Sequence, residues 1–145
     1  MWGDPAVTRF IGGRASTPQQ CWSRMLTYRG MWPLLGYGYW AVEEKSSGLY
    51  AGEAGFADFK RDIIPEMQNV PELGFAFMPA VHGKGYGTEA VRAIVAWGDE
   101  HLPSKRTVCI VSAANEASLR IVRGCGYRAF ADDGASEERT LYLER

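Results

Sequence analysis

A mixed α/β (α+β) fold, one sheet with helices packed on it, is what the sequence predicts, and three observations predict it. Short apolar runs bounded by turn residues recur at 39–42, 49–56, 72–78 and 107–111, with the length and punctuation of strands. Around them lie stretches whose apolar residues return every three or four positions, as a helix with one buried face requires. At one strand-to-helix junction stand three glycines at alternate positions, Gly83, Gly85 and Gly87. The predicted order is helix, three strands, helix, strand, helix, two strands. With 145 residues, 46% of them hydrophobic and 23% charged, residues 1–145 are expected to form a single domain with a real core.

Thr17-Pro18 opens the first substantial helix, a capping hydroxyl followed by a proline whose missing N–H is not needed there. Cys21, Met25, Tyr28 and Trp32 follow at helical spacing, with Trp22, Leu26 and Arg29 beside them; an aromatic stripe of this kind is expected to face the core. Tyr39–Val42 and Leu49–Phe56 read as a hairpin around Glu44-Lys45-Ser46-Ser47-Gly48. Residues 60–70 are polar and too irregular for an element. Glu72–Met78 reads as a buried strand that Pro79 ends, since proline cannot donate to a ladder. Beyond the glycines, Ala90, Val91, Ile94, Val95, Gly98 and Leu102 share one helix face, and His101-Leu102-Pro103 stops that helix. Thr107–Val111 is a continuous apolar strand, as expected of one flanked on both sides. Asn115 caps a short helix that Gly124 or Gly126 ends. Arg128–Ala131 and Thr140–Leu143 close the chain as an antiparallel pair, with Asp132-Asp133-Gly134 in the turn.

The chemical signal is densest in His82-Gly83-Lys84-Gly85-Tyr86-Gly87-Thr88. The first N–H groups of a helix have no internal partner, and the helix dipole makes that end partly positive. Glycines let the backbone close on a ligand, so this loop is an anion cradle suited to a pyrophosphate. Gly-x-Gly-x-x-Gly has a different spacing, and no acidic strand end lies downstream for a dinucleotide ribose. A Walker loop needs Gly-Lys followed by Ser or Thr, whereas Lys84 precedes Gly85. The stretch resembles instead the acetyl-coenzyme A loop of the GNAT acetyltransferases, Gln/Arg-x-x-Gly-x-Gly/Ala. His82 takes the first place, Gly85 the fourth and Gly87 the sixth. Within that superfamily, Gly83-Lys84-Gly85-Tyr86-Gly87-Thr88-Glu89-Ala90 looks like the RimJ/RimL branch. That branch acetylates N-terminal amines of ribosomal proteins and has relatives of other specificity. His82 departs from the usual Gln or Arg.

The resemblance covers about residues 5–145. It implies the GNAT, or acyl-CoA N-acyltransferase, fold: a central, mostly antiparallel sheet flanked by helices. It also implies a shortened N-terminus, because Val7-Thr8-Arg9-Phe10-Ile11-Gly12-Gly13 is similar to the segment after the first helix in these enzymes. The usual first strand and most of the first helix would then be missing. A strand edge left open calls for a cover, such as the second subunit of a homodimer.

Acetyl transfer from a thioester to an amine requires that the ammonium lose a proton, that the tetrahedral oxyanion find a donor, and that the thiolate be stabilised as it leaves. No covalent enzyme intermediate is needed. In the resembled family the central strand splays from its neighbour and offers backbone groups to the pantetheine amides. By position, Phe77 and Met78 supply them, and His82, Gly83, Lys84, Gly85, Tyr86, Gly87 and Thr88 hold the pyrophosphate. RimL-like enzymes carry a cofactor-contacting asparagine where this chain has Asn115, and a serine that serves the leaving thiolate where it has Ser118. Many relatives use a tyrosine further on, but Leu119-Arg120-Ile121-Val122-Arg123 contains none. Serine is too weak an acid to act by full proton release, so its hydrogen bond to sulfur is worth about 10–100-fold. Glu72, at the start of the central strand, is the favoured base. Glu53, in Gly52-Glu53-Ala54-Gly55, is the other candidate. Burial must raise either carboxylate before it serves well. In the family the first long helix and the turn after it border the acceptor site, which makes Trp32 and Tyr37 candidate specificity residues.

The formal net charge is −1 and the pI about 6.1, so no basic field draws the chain to nucleic acid. No apolar run approaches bilayer-spanning length, and the first fifteen residues, with Asp4, Arg9 and Arg14, lack the apolar core of a signal peptide. Cys21, Cys109 and Cys125 have no metal spacing, and their odd count argues against a disulfide framework. A reducing cytoplasm is the expected setting. His82 and His101 are separated by a helix, so no metal is expected, and His101 reads as a partner of the helix dipole.

The expectation is therefore a cytoplasmic N-acetyltransferase that takes acetyl-CoA as cosubstrate and acetylates a primary amine by direct attack. The acceptor could be a protein N-terminus, an amino acid, a polyamine or an antibiotic, and nothing in the residues chooses among them. Two rivals stand beside this reading. One is a GNAT-like module that binds CoA without catalysis, the other an unrelated phosphate- or nucleotide-binding α/β protein.

Overall fold

The computed structural model describes residues 1–134 and 139–145. Helix formation starts with a single turn, α1 (Pro5–Thr8), opened by Asp4, whose Oδ1 accepts the Ala6 N–H at 2.8 Å. Val7 and Thr8 are buried. The long helix α2 (Pro18–Leu35) starts where the sequence predicts it. Thr17 Oγ1 accepts the Gln20 N–H at 3.2 Å and Gln20 Oε1 accepts the Thr17 N–H at 2.8 Å, a reciprocal capping box. Gly36 ends it in a left-handed conformation, φ 78°.

The α2 stripe meets the core over only half its length. Tyr28 stacks on Tyr39, Trp32 packs edge-on against Trp40, and Met31 is buried. Trp22, Met25 and Leu26, expected inside, are 59%, 61% and 54% exposed. The reason is length: eighteen helical residues run about 27 Å, while the five-residue strand beside them runs about 17 Å. The first turns overhang it.

Six strands form one sheet: β1 (Tyr39–Glu43), β2 (Tyr50–Ala57), β3 (Glu72–Phe77), β4 (Val108–Ser112), β5 (Arg128–Asp132) and β6 (Thr140–Glu144), in the order β1-β2-β3-β4-β6-β5. The pairings are antiparallel except that of β3 with β4. These two are joined by α3 (Tyr86–His101) and are in register at one position, Glu72 against Val108. The loop before β3, expected to be irregular, holds a 3₁₀ turn at Pro65–Met67 and buries Met67.

Val91, Ile94 and Val95 of α3, with Leu119 and Val122 of α4 (Glu116–Gly124), pack on Phe56, Leu73, Phe77, Val111, Leu141 and Leu143. Gly98 is required there, since a Cβ would stand 2.7 Å from Phe56 Cε2. His101 meets the end of α3 as expected, with Nδ1 donating to Trp97 O at 2.8 Å. Among the described residues no strand lies outside β1. Its edge is met from within the chain at one point: Phe56 N–H donates to Gly38 O, which turns the backbone of Tyr39 away from β2. Trp32 Nε1 donates to that outward Tyr39 carbonyl at 3.2 Å.

Candidate active site

Beyond Glu72, β3 and β4 part, and between β3 and the starts of α3 and α4 lies a cleft of about 540 Å³. Its wall includes the glycine loop. Gly83 and Gly85 hold φ of 71° and 88°, a region in which an L side chain is strained. Gly85 caps α3, and the Glu89 N–H to Gly85 O bond, 3.0 Å, opens the helix. The N–H groups of Tyr86, Gly87 and Thr88 are left without an intrahelical acceptor. At Gly87 a Cβ would come within 3.1 Å of Ile121 Cδ1 and 3.4 Å of the Phe77 ring, so this glycine seats the helix start against β3 and α4. Arg92 and Arg120 line the same cleft. Two guanidinium groups beside a helix N-terminus make a site for a multiply charged phosphate ligand, so the residues present fit a CoA. The loop motif did not reveal these arginines. Arg92 lies about two helical turns beyond Gly85, where a scan along the face could have found it.

The strand backbone is phased differently from the expectation. Met78 N–H donates to Ala51 O at 2.8 Å, and Met78 O accepts the Val81 N–H at 3.1 Å. Both Met78 groups are therefore taken. Because antiparallel partners alternate, Gly74 and Ala76 also bond toward β2, while Phe75 and Phe77 present theirs to the gap. Val108 N–H donating to Pro71 O, 3.0 Å, has the same phase. Phe75 thus stands where Met78 was expected, beside Phe77, and both line the cleft. Counting the strand period of two from Phe77 would have found it. His82 Nε2 donates to Phe77 O at 3.0 Å, which ties the loop back to the strand. Lys84 is exposed and Tyr86 turns away, its hydroxyl donating to Glu44; neither lines the cleft.

Asn115 caps α4, its Oδ1 accepting the Ser118 N–H at 3.1 Å. Asn115, Ser118, Phe75 and Ile11 line the first cleft and also a second chamber of about 400 Å³. Trp2, Tyr28, Tyr39 and Phe59 give that chamber aromatic walls. Ser118 therefore stands where an anion cradle on one side meets an aromatic chamber on the other. None of the four aromatic residues belongs to a motif, and only the tertiary fold collects them.

Glu72 lines the second chamber, buried, with Oε2 accepting Arg61 Nε at 2.9 Å. Burial pushes its pKa up; the Arg61 guanidinium offsets part of the rise, and Asp58 adds to it. A carboxylate raised this way is a better base near neutral pH. Glu53 is also buried but lines neither chamber. It accepts from Tyr28 Oη at 2.6 Å, Trp2 Nε1 at 2.9 Å and Tyr50 Oη at 3.1 Å, joining α2 and the N-terminal segment to β2. Trp32 and Tyr37 line neither chamber. Trp32 packs edge-on against Trp40 and Trp97, and Tyr37 is buried in the core. Among the described residues no group of three or more His, Cys, Asp or Glu is placed to hold a metal ion, and no helix is long and apolar enough to cross a membrane.

Comparison with known proteins bears on this geometry. Residues 1–128 match the family model described as acetyltransferase (GNAT) domain. YkkB of Bacillus subtilis strain 168, an uncharacterised protein, is 31% identical over 96 residues, which is 63% of this chain and 52% of YkkB. The chain thus spans about half the length of that curated relative. A Bordetella pertussis protein assigned to the GnaT family of acetyltransferases superposes with a TM-score of 0.85 at 32% identity, covering 97% of this chain and 86% of its own. The yncA structure of Salmonella typhimurium, assigned as an acetyltransferase and described with its cofactor acetyl-CoA, superposes at 0.70 with 22% identity over 92% and 75% of the two chains, a likeness of fold. With a family match over most of its length, on a sheet that parts between β3 and β4 above a glycine-capped helix, the chain belongs to the GNAT acetyltransferase family.

Proposed function

We propose that the chain is an acetyl-CoA-dependent N-acetyltransferase acting on a primary amine by direct attack. One observation carries the reading: Ser118 and Phe75 stand at the junction of a phosphate-suited cleft and a second chamber that contains a raised carboxylate. Bound acetyl-CoA supplies the activated acetyl group. The start of α3, with Arg92 and Arg120, holds phosphate, and the outward backbone groups of Phe75, with the N–H of Phe77, hold the amide arm. Glu72 takes a proton from the acceptor ammonium in the second chamber. The Ser118 hydroxyl hydrogen-bonds the departing sulfur, and Asn115 fixes the helix turn on which Ser118 sits. The RimJ/RimL likeness of residues 83–90, the cytoplasmic setting, the single domain across 1–145 and a homodimer over the β1 edge belong to the same reading.

The test is the melting temperature of the purified chain with acetyl-CoA, ATP or NAD, followed by thiol release with primary amines. A ligand at 100 times its Kd adds about 2.7 kcal/mol. The proposal expects that shift with acetyl-CoA alone and thiol release that depends on an amine. Stabilisation by ATP or NAD but not acetyl-CoA overturns it in favour of an unrelated nucleotide-binding protein. Stabilisation by acetyl-CoA with no amine-dependent release across amino acids, polyamines and N-terminal peptides leaves a CoA-binding module.

A further inference from the structure

We propose that the amine acceptor carries an anionic group, a carboxylate or a phosphorus oxyanion, and that Arg24 binds it. The inference rests on the second chamber being the acceptor site. Three charged side chains line that chamber, Glu72, Arg61 and Arg24. Glu72 and Arg61 are paired at 2.9 Å and cancel each other. Arg24 is not cancelled: among the described residues no carboxylate lies within ion-pair distance of it. Its guanidinium lies over the Trp2 ring, 3.7 Å from the centroid, and Nη1 makes a long 3.3 Å bond to Tyr28 Oη. Its Nε is buried and hydrogen-bonds to nothing. The nearest carboxylate in the network, Glu53, reaches Arg24 only through the Tyr28 hydroxyl and lies outside the chamber.

A guanidinium drawn partly out of water without a carboxylate in contact is costly, and among the described residues the chamber holds one guanidinium that no carboxylate touches. Such a wall disfavours a polycationic acceptor and favours an oxyanion, which the planar fork of arginine matches in geometry. Position adds direction. Arg24 and Arg61 also line a surface groove with Ser16, Gln19 and Thr27, so they stand where the chamber opens outward. Ser118 is at the inner junction. An acceptor with its amine toward Ser118 therefore has its far end beside Arg24.

The experiment measures thiol release from acetyl-CoA with matched acceptors: L-phenylalanine and L-glutamine against their α-carboxamides, O-phosphoethanolamine against ethanolamine, and spermidine. The expected result is a kcat/KM for the anionic members about tenfold or more above their neutral counterparts. Arg24→Gln should erase that preference through KM. Arg24→Lys keeps the charge without the fork and should keep part of the preference. Melting curves of both variants confirm folding, and if Arg24→Gln does not fold, Arg24→Lys alone decides. The proposal is overturned if neutral amines or spermidine are accepted equally well, if the preference survives undiminished in Arg24→Gln or in Arg24→Lys, or if a protein stabilised by acetyl-CoA accepts none of the anionic amines. Failure of acetyl-CoA to stabilise the protein overturns instead the transferase reading beneath it.

Discussion

Gly85→Val separates a glycine kept for turning the chain from one kept for a ligand. Gly85 has φ 88°, and a Cβ there would meet nothing within 4 Å. In the free protein the substitution therefore adds backbone strain without a clash, about 1–2 kcal/mol. For a domain of this size that lowers Tm by roughly 2–8 °C. The effect on the ligand is of another kind, because Gly85 caps α3 and lines the cleft beside the free N–H groups of that helix start. With acetyl-CoA at 100 times the wild-type Kd, the stabilisation is about 2.7 kcal/mol, and a 100-fold weaker site would retain only about 0.4 kcal/mol. The ligand-induced rise in Tm should then fall from roughly 5–11 °C to about 1–2 °C. Differential scanning fluorimetry of both proteins, with and without acetyl-CoA at one concentration, measures the two effects together. A variant that loses a few degrees when free yet keeps the full ligand increment would refute the cradle.

The two buried carboxylates give separate expected outcomes. Glu72→Gln should lower kcat/KM by about 10²-fold or more and flatten the acidic limb of its pH profile, which in the wild type lies above the usual carboxylate range because burial raises Glu72. A raised folded pKa contributes stability below the unfolded value, about 4.3, and loses it as pH rises through the folded value. The stability of the wild type relative to Glu72→Gln should therefore decline over that window in urea titrations. An unchanged profile would remove Glu72 as the base. Glu53→Ala leaves the hydrogen-bond donors of Trp2, Tyr28 and Tyr50 without their acceptor and should cost about 2–3 kcal/mol in urea unfolding. Its acetyl-CoA increment should persist, since Glu53 lines neither chamber, and loss of that increment would contradict the placement.

Much of the architecture was legible because it depends on neighbours a few residues apart. Thr17 with Gln20, the apolar face from Val91 to Gly98, Asn115 with Ser118, and the glycine cradle of 83–87 each involve groups within a turn or two along the chain. The phase of β3 was nearly legible: Phe77 was found, but its partner in the gap is Phe75, because which residues turn outward is set by pairing with β2. The aromatic stripe of α2 has the right period, yet whether a periodic face is buried depends on how far the sheet beneath it extends. Likewise Glu53 and Glu72 are both carboxylates interrupting apolar strands. Three donors from distant segments enclose one, and the parting of β3 from β4 opens a chamber beside the other. Local rules place caps, turns and faces, since their energetics close within one element. Which charge is compensated and which faces a cavity is decided by contacts between elements far apart in sequence, and for Arg24, Trp2 and Glu72 those contacts exist only once the sheet is assembled.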